Sequence, residues 1–259
     1  MKLIVVAAGQ GTRLRPLTDD RPKCMVPFFG KPIIDHILDT ARSCGIEDLA
    51  VVHGYRADVL EAHLANRGVT CFHNPRYDST NMVASLFCAG DWLDGDVIVS
   101  YGDIVYREQV LRALLSSESG LAIAIDRQWQ QLWDWRMEDP LADAETLKLN
   151  GQGQIVELGK KPGSLPEIQG QYMGLIRWQP EATRKIKAFY AAMDRSAIYD
   201  GKDFDNMYMT SFLQNIIDRL MPAKAIMVDG GWVEVDSLAD LEAYETHRND
   251  LSWVLKPQG

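Results

Sequence analysis

No apolar run in this 259-residue chain approaches the roughly eighteen residues that a membrane span needs. The first such run, LIVVAA, is also shorter than the core of a secretory signal and is soon followed by charge. Cysteine is scarce. Cys24, Cys44, Cys71 and Cys88 are spaced too widely and irregularly for a zinc site, and a chain of this length does not depend on disulfide staples. An excess of basic charge is missing as well: Lys and Arg number 27 against 36 Asp and Glu, a formal net charge of -9. Such a surface repels polyanions, which excludes nucleic acid and anionic membranes as general partners. The expectation is a soluble cytoplasmic protein with reduced thiols. No low-complexity linker and no repeat of fixed period interrupts it.

What is present is alternation. Short apolar runs (KLIVVAA, DLAVVHG, VTCFHN, DVIVSYGD, LAIAID) alternate with segments of helical period (IIDHILDTAR, RADVLEAHLAN, NMVASLFCAGDWL, REQVLRALLSS). That rhythm predicts an α/β fold: a doubly wound, mostly parallel, Rossmann-like sheet with helices on both faces and ligands collected at the carboxyl ends of its strands. Beyond Asp126 the rhythm changes. ETLKLNGQGQIVELGKK reads as a hairpin, QYMGLIRW as a strand, EATRKIKAFYAAM and MYMTSFLQNIIDRL as helices, AKAIMVDGGWVEVD as a strand pair and LADLEAYETHR as a closing helix. One domain over 1–259, with halves of about 1–126 and 127–259, accounts for this pattern.

A chain this acidic nevertheless places AAGQGTRLRPLTDDRPKCM directly after its first apolar run. Gly9 and Gly11 allow a turn whose backbone N–H groups approach anionic oxygens, and Arg13, Arg15 and Lys23 add charge to it. The loop is neither a dinucleotide fingerprint, since the third glycine is missing, nor a Walker loop, since GK[ST] is missing. Two acids follow at strand ends: Asp103 in SYGDIVY and Asp236 in GGWVEVDS, with Glu234 two residues before the latter. A carboxylate in such a place is either a helix cap or a ligand for a hard cation.

The string AAGQGTRLRPLTDDRPKCMVPFFGKPIIDHIL resembles the signature of the nucleotidyltransferases that couple a nucleoside triphosphate to a sugar 1-phosphate or a phosphorylated small alcohol. NPRYDSTNMVASL, SYGDIVY, ELGKKP, GQYMGL and GGWVEVDSLADLEAYE extend the resemblance over most of the chain. It implies the nucleotide-diphospho-sugar transferase fold, with a nucleotide-binding first half and an acceptor-binding second half that carries the second metal ligand. The triphosphate is then held by Ala8, Gly9, Gly11, Thr12 and Arg13. Lys23 lies beside the α-phosphate, Asp103 and Asp236 bind Mg²⁺, and Glu234 faces the metal or the acceptor.

The run N-P-x-Y-x-x-T-N resembles the branch that uses CTP, including the phosphocholine cytidylyltransferases and the L-glutamine-phosphate cytidylyltransferases of the capsular phosphoramidate pathway. Asn74, Thr80, Asn81 and Ser85 become candidates around cytosine and ribose, an amide oxygen accepting from the exocyclic amine of the base. Thr80 or Asn81 can equally cap the following helix. For the acceptor the same resemblance offers Lys160 or Lys161 as the phosphate grip and Glu145, Tyr172, Asn206 and Glu234 as pocket residues. Trp129, Trp133 and Trp135 form either a cation–π cage or a core face. The implied partners are CTP and a small phosphorylated acceptor, L-glutamine phosphate or phosphocholine, with a homodimer left open. A sugar-1-phosphate enzyme using UTP or dTTP is the alternative.

Overall fold

A computed structural model describes residues 1–255; the expected domain range runs to 259 and its end lies outside the described residues. The strands are β1 (Lys2–Ala7), β2 (Pro27–Phe28), β3 (Lys31–Pro32), β4 (Asp48–His53), β5 (Val69–His73), β6 (Val97–Tyr101) and β7 (Ile104–Tyr106) in the first part of the chain. After them come β8 (Leu121–Asp126), β9 (Leu147–Leu149), β10 (Gln154–Leu158), β11 (Gln171–Trp178), β12 (Ala223–Val228) and β13 (Trp232–Glu234). The helices are α1 (Ile33–Ser43), α2 (Ala57–Leu64), α3 (Met82–Phe87), α4 (Glu108–Leu115), α5 (Trp129–Arg136), α6 (Pro180–Ala192), α7 (Met209–Arg219) and α8 (Leu238–Thr246).

Nine strands form one sheet in the order β5-β4-β1-β6-β11-β8-β12-β10-β9. All but β10 and β11 run in one direction, as the pairings require: β1 is parallel to β4 and β6, β8 to β12, while β11 is antiparallel to both β6 and β8. The alternation of side chains along β1 divides the core in two. Leu3 and Val5 enter the layer under α1 and α4, and Ile4 and Val6 enter the layer that holds α3, α6 and α7. Both faces of the strand are therefore apolar, as a sheet covered by helices on either side demands.

The expected strand pair in AKAIMVDGGWVEVD is not a pair. β12 stays in the main sheet beside β8, whereas β13 leaves it and pairs antiparallel with β7 in a separate two-stranded ribbon, Glu234 opposite Ile104. Gly230 and Gly231, at φ 64° and 80°, make the break. This departure sets the site. Val235 N–H donates to the Asp103 carbonyl at 2.8 Å, which brings the end of β13 beside the end of β6.

Candidate active site

The loop after β1 turns at Gly11, whose φ of 65° puts it in the left-handed region and starts a single 3₁₀ turn over Thr12–Leu14. Leu14 is buried and anchors the turn, and the Thr18 hydroxyl donates to the Gly11 carbonyl at 2.8 Å. A Cβ on Gly11 would stand 2.8 Å from the Cβ of Lys23. Glycine thus serves twice here, for its backbone angle and for the approach of Lys23. Ala8, Gly9, Gly11, Thr12 and Arg13 line one side of a cleft of about 430 Å³, and Lys23, Asp103, Glu234 and Asp236 line it too.

Three charged side chains from distant parts of the chain meet there. Lys23 Nζ lies 2.7 Å from Asp103 Oδ2 and 2.6 Å from Asp236 Oδ1, while Arg13 pairs with the other oxygen of Asp236. The side chains of Lys23, Asp103 and Asp236 are between 15 and 17% exposed, so the triad is screened only weakly by water. Burial alone would lower the pKa of Lys23. Asp103, Asp236 and Glu234 outweigh that effect and raise it, so the ammonium stays charged. Asp103 sits where it does because Gly102 crosses β1 closely: its N–H donates to the Val6 carbonyl at 3.0 Å, and a Cβ would lie 2.7 Å from that of Ala7.

A second layer fixes the acidic side. Arg136, 1% exposed at its side chain, spans Glu234 and Asp240 at 3.0 Å each. Asp240 in turn accepts from the backbone N–H groups of Asp236 and Ser237 at 2.8 Å, and Ser237 and Asp240 together form a capping box at the start of α8. The Tyr244 hydroxyl donates to the Glu234 carbonyl at 2.6 Å. Glu234 is therefore held from both ends. Burial, assisted by Asp103 and Asp236 against the pull of Arg136 and Lys23, raises its carboxyl pKa.

At the other end of the cleft stand Tyr77, Thr80, Asn81, Met82 and Ser85. Their polar groups are mostly engaged within the protein. Asn81 caps α3 by accepting from the Met82 N–H at 2.7 Å, and its amide donates to the Asn206 carbonyl at 3.3 Å. The Thr80 hydroxyl donates to the Arg76 carbonyl at 2.8 Å.

A second cavity of about 410 Å³ shares Arg13, Asn81, Met82, Tyr101, Glu234 and Asp236 with the first. Its remaining wall includes Trp133, Glu145, Gln171, Tyr172, Thr210 and Trp232. The Gln171 amide clamps the backbone of Glu145, donating to its carbonyl at 2.6 Å and accepting from its N–H at 3.2 Å. Burial, then Asp143, pushes the Glu145 carboxyl up to about 7. Two compartments thus meet at Asp236, a geometry suited to reaction between two bound substrates.

Residues 3–180 match the MobA-like NTP transferase domain. The chain belongs to that nucleotidyltransferase family. It is 45% identical over 249 residues to the CTP:phosphoglutamine cytidylyltransferase of Campylobacter jejuni, covering 93% of this chain and 98% of that one. It is 23% identical to the choline-phosphate cytidylyltransferase of Streptococcus pneumoniae, covering 95% and 97%. The solved inositol-1-phosphate CTP transferase of T. maritima superposes with a TM-score of 0.75 at 21% identity, covering 100% and 97% of the two chains, and so shares the fold.

In this nucleotidyltransferase the structure brings together Ala8, Gly9, Gly11, Thr12, Arg13, Lys23, Thr80, Asn81, Ser85, Asp103, Glu234 and Asp236 around the first cleft, and Glu145 and Tyr172 around the second. Other candidate residues lie outside both cavities. Asn74 is 2% exposed and lines neither cavity; its amide donates to Thr80 at 3.0 Å and Ser85 at 2.9 Å, and its oxygen accepts from the Arg76 N–H. These bonds tie the loop before α3 to the helix. Lys160 pairs with Glu157 at 3.0 Å, Lys161 with the carbonyls of Leu141 and Ala142, and Asn206 with Asp203, and none of the three lines either of these two cavities.

Nor do the tryptophans form a cage. Trp129 and Trp133 belong to the buried core and Trp135 stacks on His247, though Trp133 also reaches the second cavity. Reading the sequence missed Gln171, Trp232, Arg136 and Asp240. Of these only Asp240 carries a local signal, as the third residue after Ser237 at a helix start.

Proposed function

We propose that this chain transfers the CMP unit of CTP to a small phosphorylated acceptor, phosphoglutamine first among them, and releases pyrophosphate. The observation that carries the reading is the end-to-end 45% identity to a CTP:phosphoglutamine cytidylyltransferase. The two compartments that meet at Asp236 and Glu234 support it. An acceptor phosphate oxygen attacks the α-phosphorus in line, the bond from that phosphorus to the bridging β-oxygen breaks, and pyrophosphate departs with the electron pair. No covalent enzyme intermediate is required. The chain's own contribution is positioning and charge neutralisation, by the loop N–H groups and Arg13 on the triphosphate and by Lys23 at the α-phosphate.

Mg²⁺ suits the acidic pair. Asp103 Oδ1 is buried without a hydrogen-bond partner, and Asp103 and Asp236 both reach the same point, now held by Lys23. Among the described residues no group of three or more His, Cys, Asp or Glu forms a metal cage. Two carboxylates completed by phosphate oxygens are the expected arrangement for this ion, which would supply charge stabilisation on the phosphates. We place the reaction in the cytoplasm, where CTP is available, and its product in surface-polysaccharide modification. Among the described residues no helix is long and apolar enough to cross a membrane.

The test is incubation with each of the four ribonucleoside triphosphates or dTTP, Mg²⁺ and a panel of phosphoglutamine, phosphocholine, 2-aminoethylphosphonate and hexose 1-phosphates, read by mass spectrometry. CMP transfer to phosphoglutamine with a preference for CTP is expected. Turnover with UTP or dTTP and a hexose 1-phosphate would assign the chain to the sugar-activating enzymes instead.

A further inference from the structure

We propose that Tyr77 supplies the aromatic surface on which the nucleotide base rests, so that it governs affinity for the base without choosing among bases. The proposal rests on the reading above that a nucleotide occupies the first cleft.

The base end of that cleft has few free polar side chains. Thr80 and Asn81 are spent on the backbone of the loop and helix, and the Ser85 hydroxyl accepts from Asn74 while donating to the Asn81 carbonyl at 3.3 Å. Tyr77 differs from these neighbours. It is half-buried, it lines the cleft, and it offers a ring surface that any base can meet through its π-face. Tyr101, the other aromatic lining residue, is committed elsewhere: it packs edge-on against Tyr172 at 5.6 Å and fills the space over Gly174.

The position of Tyr77 is built rather than incidental. Gly54 directly follows β4, and a Cβ there would stand 2.3 Å from the Cβ of Tyr77 and 2.6 Å from its Cγ, so that only glycine lets the tyrosine lie against the backbone. Beside it the Tyr55 ring makes an edge contact, centroids 6.3 Å apart at 62°. The Tyr55 hydroxyl reaches the carbonyls of Thr18 at 3.0 Å and Asp19 at 3.1 Å, and Thr18 donates to the Gly11 carbonyl. Contacts therefore run from the phosphate loop through Thr18 and Tyr55 to Tyr77. One end of this chain is placed for the triphosphate and the other for the base.

The experiment measures dissociation constants by calorimetry for CTP, UTP and base-free ribose 5-triphosphate on the wild-type protein and on Tyr77→Phe, Tyr77→Leu and Tyr77→Ala, with melting temperatures as a fold control. Loss of the ring in the Leu and Ala variants should weaken CTP and UTP by about 5- to 150-fold, in equal proportion. Tyr77→Phe should stay within about twofold of wild type, and ribose 5-triphosphate should bind all four proteins alike within about twofold. Equal weakening of ribose 5-triphosphate would make Tyr77 a brace of the loop, and wild-type affinity in Tyr77→Leu would remove any role for the ring; either result overturns the proposal. Wild-type protein that binds UTP but not CTP would instead overturn the choice of CTP, and the comparison at Tyr77 would still read out on UTP.

Discussion

Lys23 offers the sharpest test of the site, because it has two tasks that one substitution separates. In the free protein its ammonium lies 2.6–2.7 Å from two carboxylates, and at an effective dielectric near 20 each contact carries roughly 6 kcal/mol of attraction. Desolvation offsets much of that, so the measurable quantity is the cost of breaking a buried pair, about 3–5 kcal/mol. Lys23→Ala leaves Asp103 and Asp236 facing each other with only Arg13 on the outer oxygen of Asp236. In EDTA the variant should therefore melt lower by on the order of 10 °C. Added Mg²⁺ should recover more of this loss than it adds to wild type, since a cation can now settle between the acids without displacing an ammonium. Activity should not recover with stability: kcat should remain about 10²- to 10³-fold low, because the charge that Lys23 meets grows in the transition state. Scanning calorimetry with and without Mg²⁺ and steady-state kinetics at varied CTP supply the readouts. A variant that melts like wild type in EDTA, or one whose KM for CTP rises while kcat holds, would refute this reasoning.

Asp103→Asn and Asp236→Asn should each lower kcat by at least about 10³-fold with the fold retained, and excess Mg²⁺ should not restore it in a pyrophosphate-release assay. Arg13→Ala should act mainly on KM for CTP, by about tenfold or more, because the triphosphate it meets is already charged when it binds. Gly11→Ala, with φ at 65° and a Cβ driven against Lys23, should cost about 1–2 kcal/mol in denaturant unfolding and depress kcat by displacing that lysine. Glu145→Gln tests burial at the second cavity. The carboxyl keeps its proton to about pH 7 in the fold but releases it near 4.5 when unfolded, so stability falls as pH rises through that window. The amide should be near neutral at pH 4.5 and stabilising by up to about 3 kcal/mol at pH 8 in urea titrations.

Much of the fold could be read from the chain because its strands are apolar on both faces and its helices are periodic, signals that survive without tertiary information. The strand-end acids and the glycine loop were legible for the same reason: special backbone positions force special residues. Side-chain destinations were not. Asn74 looks from the sequence like an amide awaiting a base, yet a buried amide must satisfy its own donors and acceptor, and Thr80, Ser85 and the Arg76 N–H do so first. Lys160 and Lys161 have long stems that bend to acceptors the sequence does not mark as theirs, Glu157 three residues back for one and the distant carbonyls of Leu141 and Ala142 for the other. Gln171 works through a backbone clamp, and nothing in a single glutamine marks that.

The convergence of Asp103 and Asp236 on Lys23 shows why the remainder had to come from the structure. Their motifs lie more than a hundred residues apart, and they meet only because β13 abandons the main sheet after Gly231 and pairs with β7. The register of that short ribbon sets the site, since side chains alternate at every residue and a slip of one would present the opposite face of β13 to β7. Only three residue pairs define the ribbon, too few to hold register alone. Register is held from outside it. Trp232 donates its indole N–H to the buried Asp126 at 2.9 Å, Tyr244 holds the Glu234 carbonyl, and Asp240 captures the Asp236 N–H. Fixing three consecutive alternate residues, 232, 234 and 236, through partners on β8 and α8 leaves one register open. In that register Lys23 finds both carboxylates.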